Sequence, residues 1–392
     1  MSPRRSRSET ALFRQKSNKL WPLAALFLGT AVGAGWLSRQ EWRLWRRPGS
    51  NCITTRAALD LGSSSFKLKV ARVDTCLQKI EAILLDRSEK TGFKDATQAA
   101  AAGAAKNKAG SQIPVETPLE IPKETLALGK RVVESLISEA REKGATEFYA
   151  VGTQIFREAK NSAQFFASLP KVLQARIVSN LEEAILGYAA ATLTLGESGR
   201  EVVVWDIGGG SMQMIRRKGP SDYDVYLGTF ASIAGREMTL QMQRDAKGTK
   251  ASKGSSPNPV GLPIARKVLD QMSQRAQQEL SSFSQALLPD SLSRLRVLGL
   301  GGVHYSSVLT QVRQVLGTEQ NSYTPEDLDA TFQVQAQKSD EQLNSKYANS
   351  QVSNLLLVRG FMRAAGISRV EVVDANLADA LLISGLALLN ER

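Results

Sequence analysis

Apolar and polar positions along this chain alternate between patterns that predict different elements. Residues 57–65 (AALDLGSSS) and 202–211 (VVVWDIGGGS) are apolar runs that reach an Asp and then break into glycines and hydroxyls. Each reads as a strand entering a tight turn, and each is followed by another β-rich stretch, 66–72 and 212–216. Residues 124–143 carry Leu126, Val133, Leu136 and Ile137 on one helical face, with Gly144 suited to the C′ position, and lead into a strand at 147–151. A strand over 175–179 enters a second helix over 182–195, and a final helix is expected over 374–390. Two soft segments interrupt the alternation. Residues 94–124 hold QAAAAGAAKNKAGS and then several prolines, and 245–263 are rich in Lys, Ser, Gly and Pro. Both read as surface loops. No short-period repeat is visible, which excludes a solenoid.

The run LWPLAALFLGTAVGAGWL, residues 20–37, is of another kind. It is uncharged, has Trp near both ends and is flanked by Arg and Lys on both sides. As a helix it would span ~27 Å, enough for a bilayer core. A single-pass membrane anchor is the preferred reading. The alternatives are a presequence cleaved on export, with Val32 and Ala34 as the small pair, or an organellar transit segment. Basic residues on both sides leave the orientation open.

Composition changes the picture mainly through charge. The 392 residues, 42% apolar and 22% charged, suit a globular protein with more than one domain. The net charge is +12, but residues 1–56 hold eleven Lys or Arg against Glu9 and Glu41, so the remainder carries only +3. The basicity belongs to the leader, and no nucleic-acid partner is expected. Cys52 and Cys76 are too few for a disulfide framework, and no Cys/His cluster supports zinc. Any metal is expected to be a hard cation held by oxygen.

The two glycine turns carry the candidate chemistry. Glycine lets backbone N–H groups approach an anion, serine adds a hydroxyl donor, and an Asp at the strand end can hold a divalent cation or its waters. Asp60 and Asp206 recur 146 positions apart in the same Asp-x-Gly setting, which suggests a duplicated α/β domain closing on one phosphorylated ligand.

Ordered motifs beyond these turns resemble the exopolyphosphatase and guanosine pentaphosphate phosphohydrolase family (Ppx/GppA), within the superfamily of actin, sugar kinases and the Hsp70 ATPase domain. ALDLGSSSFKLKVARV (58–73) is similar to the family's DxGSNSxxLxV loop, and VGTQIFREAKN (151–161) to its ATxAxRxAxN segment. IVSNLEEA (177–184) resembles ISGxEEA and precedes DIGGGS (206–211); VLGLGGV (297–303) and VVDANL (372–377) resemble its late glycine turn and closing VSDAGL segment.

This resemblance implies an α/β fold of two actin-like (ribonuclease H-like) domains flanking a cleft, at about 57–190 and 191–392, after a basic leader over 1–56. The chain stops soon after the closing motif, which corresponds to the short form of the family. The implied activity is release of terminal phosphate from inorganic polyphosphate or guanosine pentaphosphate. Gly62, Ser63, Ser64 and Ser65 would grip phosphate opposite Gly208, Gly209, Gly210 and Ser211, with Gly301 and Gly302 nearby. Arg157 would clamp a phosphate, Glu183 would activate the attacking water, and Asp60 and Asp206 would hold magnesium (Mg2+), with manganese (Mn2+) as the alternative. Partners would be the phosphate ligand, a membrane through residues 20–37, and a second copy in a homodimer. His304, after the late glycines, reads as structural, and Met212 and Met214 as core.

The chain departs from the family pattern at several places. Ser64 stands for Asn, Met212-Gln213 for Thr-Glu, Asn180 for Gly, Ile185 for Arg, Val303 for Thr or Ser, and Ala378 for Arg. Most of these changes take charge, a hydroxyl or a hydrogen-bonding group from the expected cleft. The second functional expectation is therefore an impaired member that binds such a ligand as a membrane-associated sensor or scaffold.

Overall fold

Two hairpins of matching register found the two halves of the fold. The computed structural model describes residues 52–107, 119–196, 202–219, 222–248, 256–287 and 295–389. In the first half, β1 (Ile53–Leu61), β2 (Ser65–Asp74) and β3 (Lys79–Lys90) form an antiparallel meander. Helices α1 (Phe93–Asn107) and α2 (Lys123–Glu142) follow, then β4 (Glu147–Gly152), the short α3 (Gln154–Glu158) and α4 (Ser162–Ala167), β5 (Leu173–Ile177) and α5 (Asn180–Leu195). β4 joins β1 in parallel and β5 joins β4, giving the order β3-β2-β1-β4-β5.

The second half repeats this plan. β6 (Val202–Ile207), β7 (Met212–Arg217) and β8 (Tyr223–Gly228) form its meander. They are followed by α6 (Ser232–Lys247), α7 (Leu262–Leu287), β9 (Arg296–Leu300), a π-helical segment at Val303–Leu309, and α8 (Thr310–Leu316). The chain continues through β10 (Ser322–Tyr323), α9 (Pro325–Gln335), α10 (Asp340–Leu343), α11 (Ala348–Ala365), β11 (Val370–Val372) and α12 (Leu377–Ser384). The sheet order is β10-β11-β9-β6-β7-β8, with β9 parallel to β6.

Both founding strands are apolar on both faces because each sheet is covered on both sides. Ala57, Leu59 and Leu61 enter one core with Phe66, Phe93 and Phe156, while Ala58 enters another with α5 and α12. Val203, Trp205 and Ile207 face the second half's own core, while Val202 and Val204 share the α5 and α12 core with Ala58. The even-numbered positions of β1 and β6 therefore look toward a common layer. Asp60 and Asp206 are even-numbered, so strand periodicity alone turns both carboxylates toward one another's half.

The final helix, expected over 374–390, runs only Leu377–Ser384 before Gly385 ends it, and the structure differs from the sequence expectation in two further places. Part of the segment expected as a loop over 94–124 is α1. Its alanines are strong helix formers, and Phe93 anchors its start against Phe66 at 5.1 Å and Phe156 at 5.3 Å between ring centroids. Cys52 and Cys76, too few for a framework, nevertheless form one disulfide. The antiparallel register that sets Ile53 opposite Asp74 brings their neighbours together, with Cα atoms 5.5 Å apart. Residues 1–51, including the apolar run at 20–37, lie outside the described residues. Among the described residues, no helix is long and apolar enough to cross a membrane.

Candidate active site

The turns that end β1 and β6 have the same backbone bond. Gly62 N–H donates to Ser65 O at 3.1 Å and Gly208 N–H to Ser211 O at 2.9 Å. Both turns, Asp60, Asp206, Glu183, Gly301 and Gly302 line one cavity of about 120 Å³. Two glycines sit in close approach, and at Gly301 the positive φ and the Ile207 backbone require one. A Cβ on Gly210 would overlap Lys94 Nζ and Gln154 Oε1 from the other half, and one on Gly301, which has φ +88°, would overlap Asp206 Oδ1.

Helix capping separates the roles of Glu182 and Glu183. Ser179 caps α5, receiving the Glu182 N–H at 3.2 Å on its Oγ while its own N–H donates to Glu182 Oε2 at 2.8 Å. Glu182 also pairs with Arg176 at the helix start. The next residue along the turn points the other way, and Glu183 is buried, 6% exposed, in the cavity wall. Ser211 Oγ donates to its Oε1 at 3.3 Å, and Arg157 Nη1 lies 2.7 Å from its Oε2. Burial pushes the Glu183 carboxyl up, and Arg157 opposes that shift.

Arg157, on α3, also donates to Val178 O at 2.9 Å. It stands behind Glu183 and does not line the cavity. The expected phosphate clamp is thus engaged with the carboxylate.

Sequence reasoning missed Lys67, Lys94, Gln154 and Asn376. Lys67 lies directly across the hairpin from Asp60, and its Nζ donates to Asp60 Oδ2 at 3.2 Å. The signal was there to be read: a turn over residues 62–65 places positions 60 and 67 opposite each other. Burial works against the Lys67 ammonium, but Asp60 and Asp206 raise its pKa above the ordinary value. The equivalent place across from Asp206 holds Gln213, which is buried. Asp206 itself is pushed up to about 7 by burial and by the negative charge of Glu183, with Lys67 partly opposing.

Asp60 and Asp206 are the residues here that could hold a metal. Three carboxylates surround one cavity, and Asp206 is raised by burial and then by the Glu183 charge, both of which a bound cation would offset. Magnesium usually takes one or two protein carboxylates, with waters and phosphate oxygens completing its shell, so this donor set fits such an ion. Among the described His, Cys, Asp and Glu, the one tight three-residue grouping is Cys52, Asp74 and Cys76, and the disulfide removes both thiolates as ligands.

His304 follows Gly302 but is wholly buried, bonded through Nδ1 to the Tyr323 hydroxyl and set edge-on to Trp205 at 4.8 Å. Burial drives its pKa down from 6.5 to about 3. Between those values the unfolded chain binds a proton that the folded protein refuses, so stability should drop as the pH is lowered across that window. The full loss is up to ~5 kcal/mol at its acid end. Urea unfolding at pH 4 and 7 should show a smaller pH difference for His304→Gln than for the parent; an unchanged difference would exclude this source.

Residues 117–224 match the model of the Ppx/GppA phosphatase family. A crystal structure of the Aquifex aeolicus Ppx/GppA family member superposes with a TM-score of 0.60 at 18% identity, covering 87% of this chain and 100% of that one. An exopolyphosphatase from Cytophaga hutchinsonii gives 0.61 at 12% identity, covering 86% and 99%. At such identities the likeness to solved structures is one of fold. Residues 117–224, which hold Arg157, Glu183 and Asp206, thus match the Ppx/GppA phosphatase family, and the fold over most of the chain is similar to that of solved members of it.

Proposed function

We propose that this protein is a phosphohydrolase that removes the terminal phosphate from inorganic polyphosphate or guanosine pentaphosphate. The observation that carries this reading is Glu183, a buried carboxylate turned into a cavity between two phosphate-type turns. In the reaction, a water oxygen bonds to the terminal phosphorus and the bridging P–O bond breaks. The shortened chain leaves with the bridging oxygen, and Glu183 takes the water's proton. The raised pKa of Glu183 suits a base, and Arg157 orients its carboxylate. Backbone N–H groups of the two turns, the Ser63 and Ser211 hydroxyls and the Gly301–Gly302 turn bind the phosphate oxygens. Lys67 adds positive charge beside Asp60. Asp60 and Asp206 would hold magnesium or manganese, which supplies charge neutralisation on the phosphate.

One observation favours a second reading, binding without turnover. Gln213 and Met212 are buried beside Asp206 and Ile207 where the family pattern has a carboxylate and a hydroxyl. Orthophosphate release by the full chain from long-chain polyphosphate and from guanosine pentaphosphate, with magnesium, manganese or chelator, separates the two. Metal-dependent release supports the hydrolase, and its preferred substrate names the class. Binding without release supports the sensor, and neither binding nor release rules out both readings.

The Cys52–Cys76 bridge favours a body that faces an oxidising compartment. That setting is compatible with a single-pass anchor at 20–37 or with export after cleavage of the leader.

A further inference from the structure

Lys94 is a cation in surroundings that do not favour one. It lies in the first turn of α1, the positive end of a helix dipole, where an ammonium is disfavoured. It is half-buried, and desolvation lowers its pKa, with Glu158 and Asp95 opposing from a distance. Its Nζ donates to the neutral Gln154 Oε1 at 3.3 Å, and among the described residues no carboxylate comes within the 4.0 Å of an ion pair. The backbone holds it there. Thr91 and Gly92 N–H groups both donate to Ser64 O at 3.1 Å, and Lys94 N–H donates to Ser63 O at 2.9 Å. The segment is thereby strapped to the first phosphate turn. On the opposite side Lys94 Nζ and Gln154 Oε1 both abut the bare Cα of Gly210.

Lys94 therefore bridges the two turns just outside the cavity, whereas Gln154 lines it. The cavity measures about 120 Å³, so most of a linear polyanion must lie beyond it. An anion placed against Lys94 would answer its desolvation, its position on the helix dipole and its lack of an ion-pair partner among the described residues together.

We propose that Lys94, positioned by Gln154, forms a second phosphate subsite, which takes the phosphate next to the terminal one in a linear phosphoanhydride chain. This rests on the phosphohydrolase reading above. Gln154 positions that ammonium: its Nε2 donates to Glu158 Oε1 at 2.8 Å, which leaves Oε1 as the acceptor facing Lys94. Entry of the second phosphate replaces the Lys94–Gln154 bond with a charge-assisted one, so the subsite rewards chain length and not the terminal phosphate alone.

The test uses the full chain in a Glu183→Gln background, which blocks turnover, at constant free magnesium. Calorimetry compares orthophosphate with inorganic tripolyphosphate. Adding Lys94→Met, which keeps the apolar stem, should weaken tripolyphosphate about 10- to 100-fold and change orthophosphate less than about twofold. Lys94→Arg should restore most of the tripolyphosphate affinity. Unchanged tripolyphosphate affinity in Lys94→Met, or an equal loss for both ligands in both Lys94 variants, would overturn the subsite while leaving the hydrolase reading standing. No binding of either ligand to the Glu183→Gln parent would overturn the subsite and that reading together.

Discussion

Phosphate release should fall about 10³-fold or more when Glu183 is replaced by glutamine, with ligand affinity retained or increased. General bases of this kind contribute ~10²–10⁴ in rate, and glutamine keeps the shape and the bond from Ser211 while losing the ability to take a proton. Affinity should hold because the substitution removes negative charge from a cavity that binds a polyanion. The side effect is a freed guanidinium: Arg157 loses the carboxylate 2.7 Å from its Nη1 but keeps Val178 O. A moderate loss of stability is therefore compatible with the account. Steady-state release and calorimetric binding, measured on the same preparation, separate these effects. Loss of both in proportion would show that Glu183 serves binding or folding and not proton transfer.

The largest effect on stability should come from Asp379. Lys69, on β2 of the first sheet, bonds both its carboxylate oxygens at 2.8 and 2.9 Å, and each side chain is only 6% exposed. Asp379 also receives the Asn376 N–H at 2.7 Å, closing the cap of α12. Since Asn376 and Leu377 line the cavity, this one carboxylate ties the first sheet, the C-terminal helix and the site together. Asp379→Ala leaves Lys69 buried with only the distant edge of Asp86, at 3.6 Å, and should cost about 3–5 kcal/mol. Replacing both partners, Lys69→Met with Asp379→Leu, should recover most of that loss, because a dry apolar pair carries no desolvation penalty. Urea unfolding of the two variants checks this. A cost below about 1 kcal/mol for Asp379→Ala would mean that the pair does not hold α12 in place.

The sequence made the two Asp-x-Gly turns legible because their chemistry is local. Strand, carboxylate, glycine and hydroxyl are adjacent residues, and the duplication could be read without any tertiary contact. Glu183 was legible only through resemblance, since Glu182 and Glu183 look alike at a helix start. The Ser179 cap, which consumes Glu182, is what tells them apart. Lys67 was hidden because its role depends on hairpin register, and Lys94 because it begins an alanine-rich tract whose helix has little amphipathic pattern. The partner of Arg157 was likewise a matter of tertiary geometry. Its guanidinium was expected on phosphate, and the structure sets it against Glu183. The disulfide depends on the same register, since β1 and β2 must pair before Cys52 and Cys76 meet.

Turnover in ¹⁸O-labelled water shows whether Glu183 delivers water to a terminal phosphate. With long-chain polyphosphate as substrate, the full chain should release orthophosphate carrying one solvent oxygen per cleavage, and Glu183→Gln should release almost none. Orthophosphate without solvent oxygen, or equal labelled release by the variant, would contradict the account.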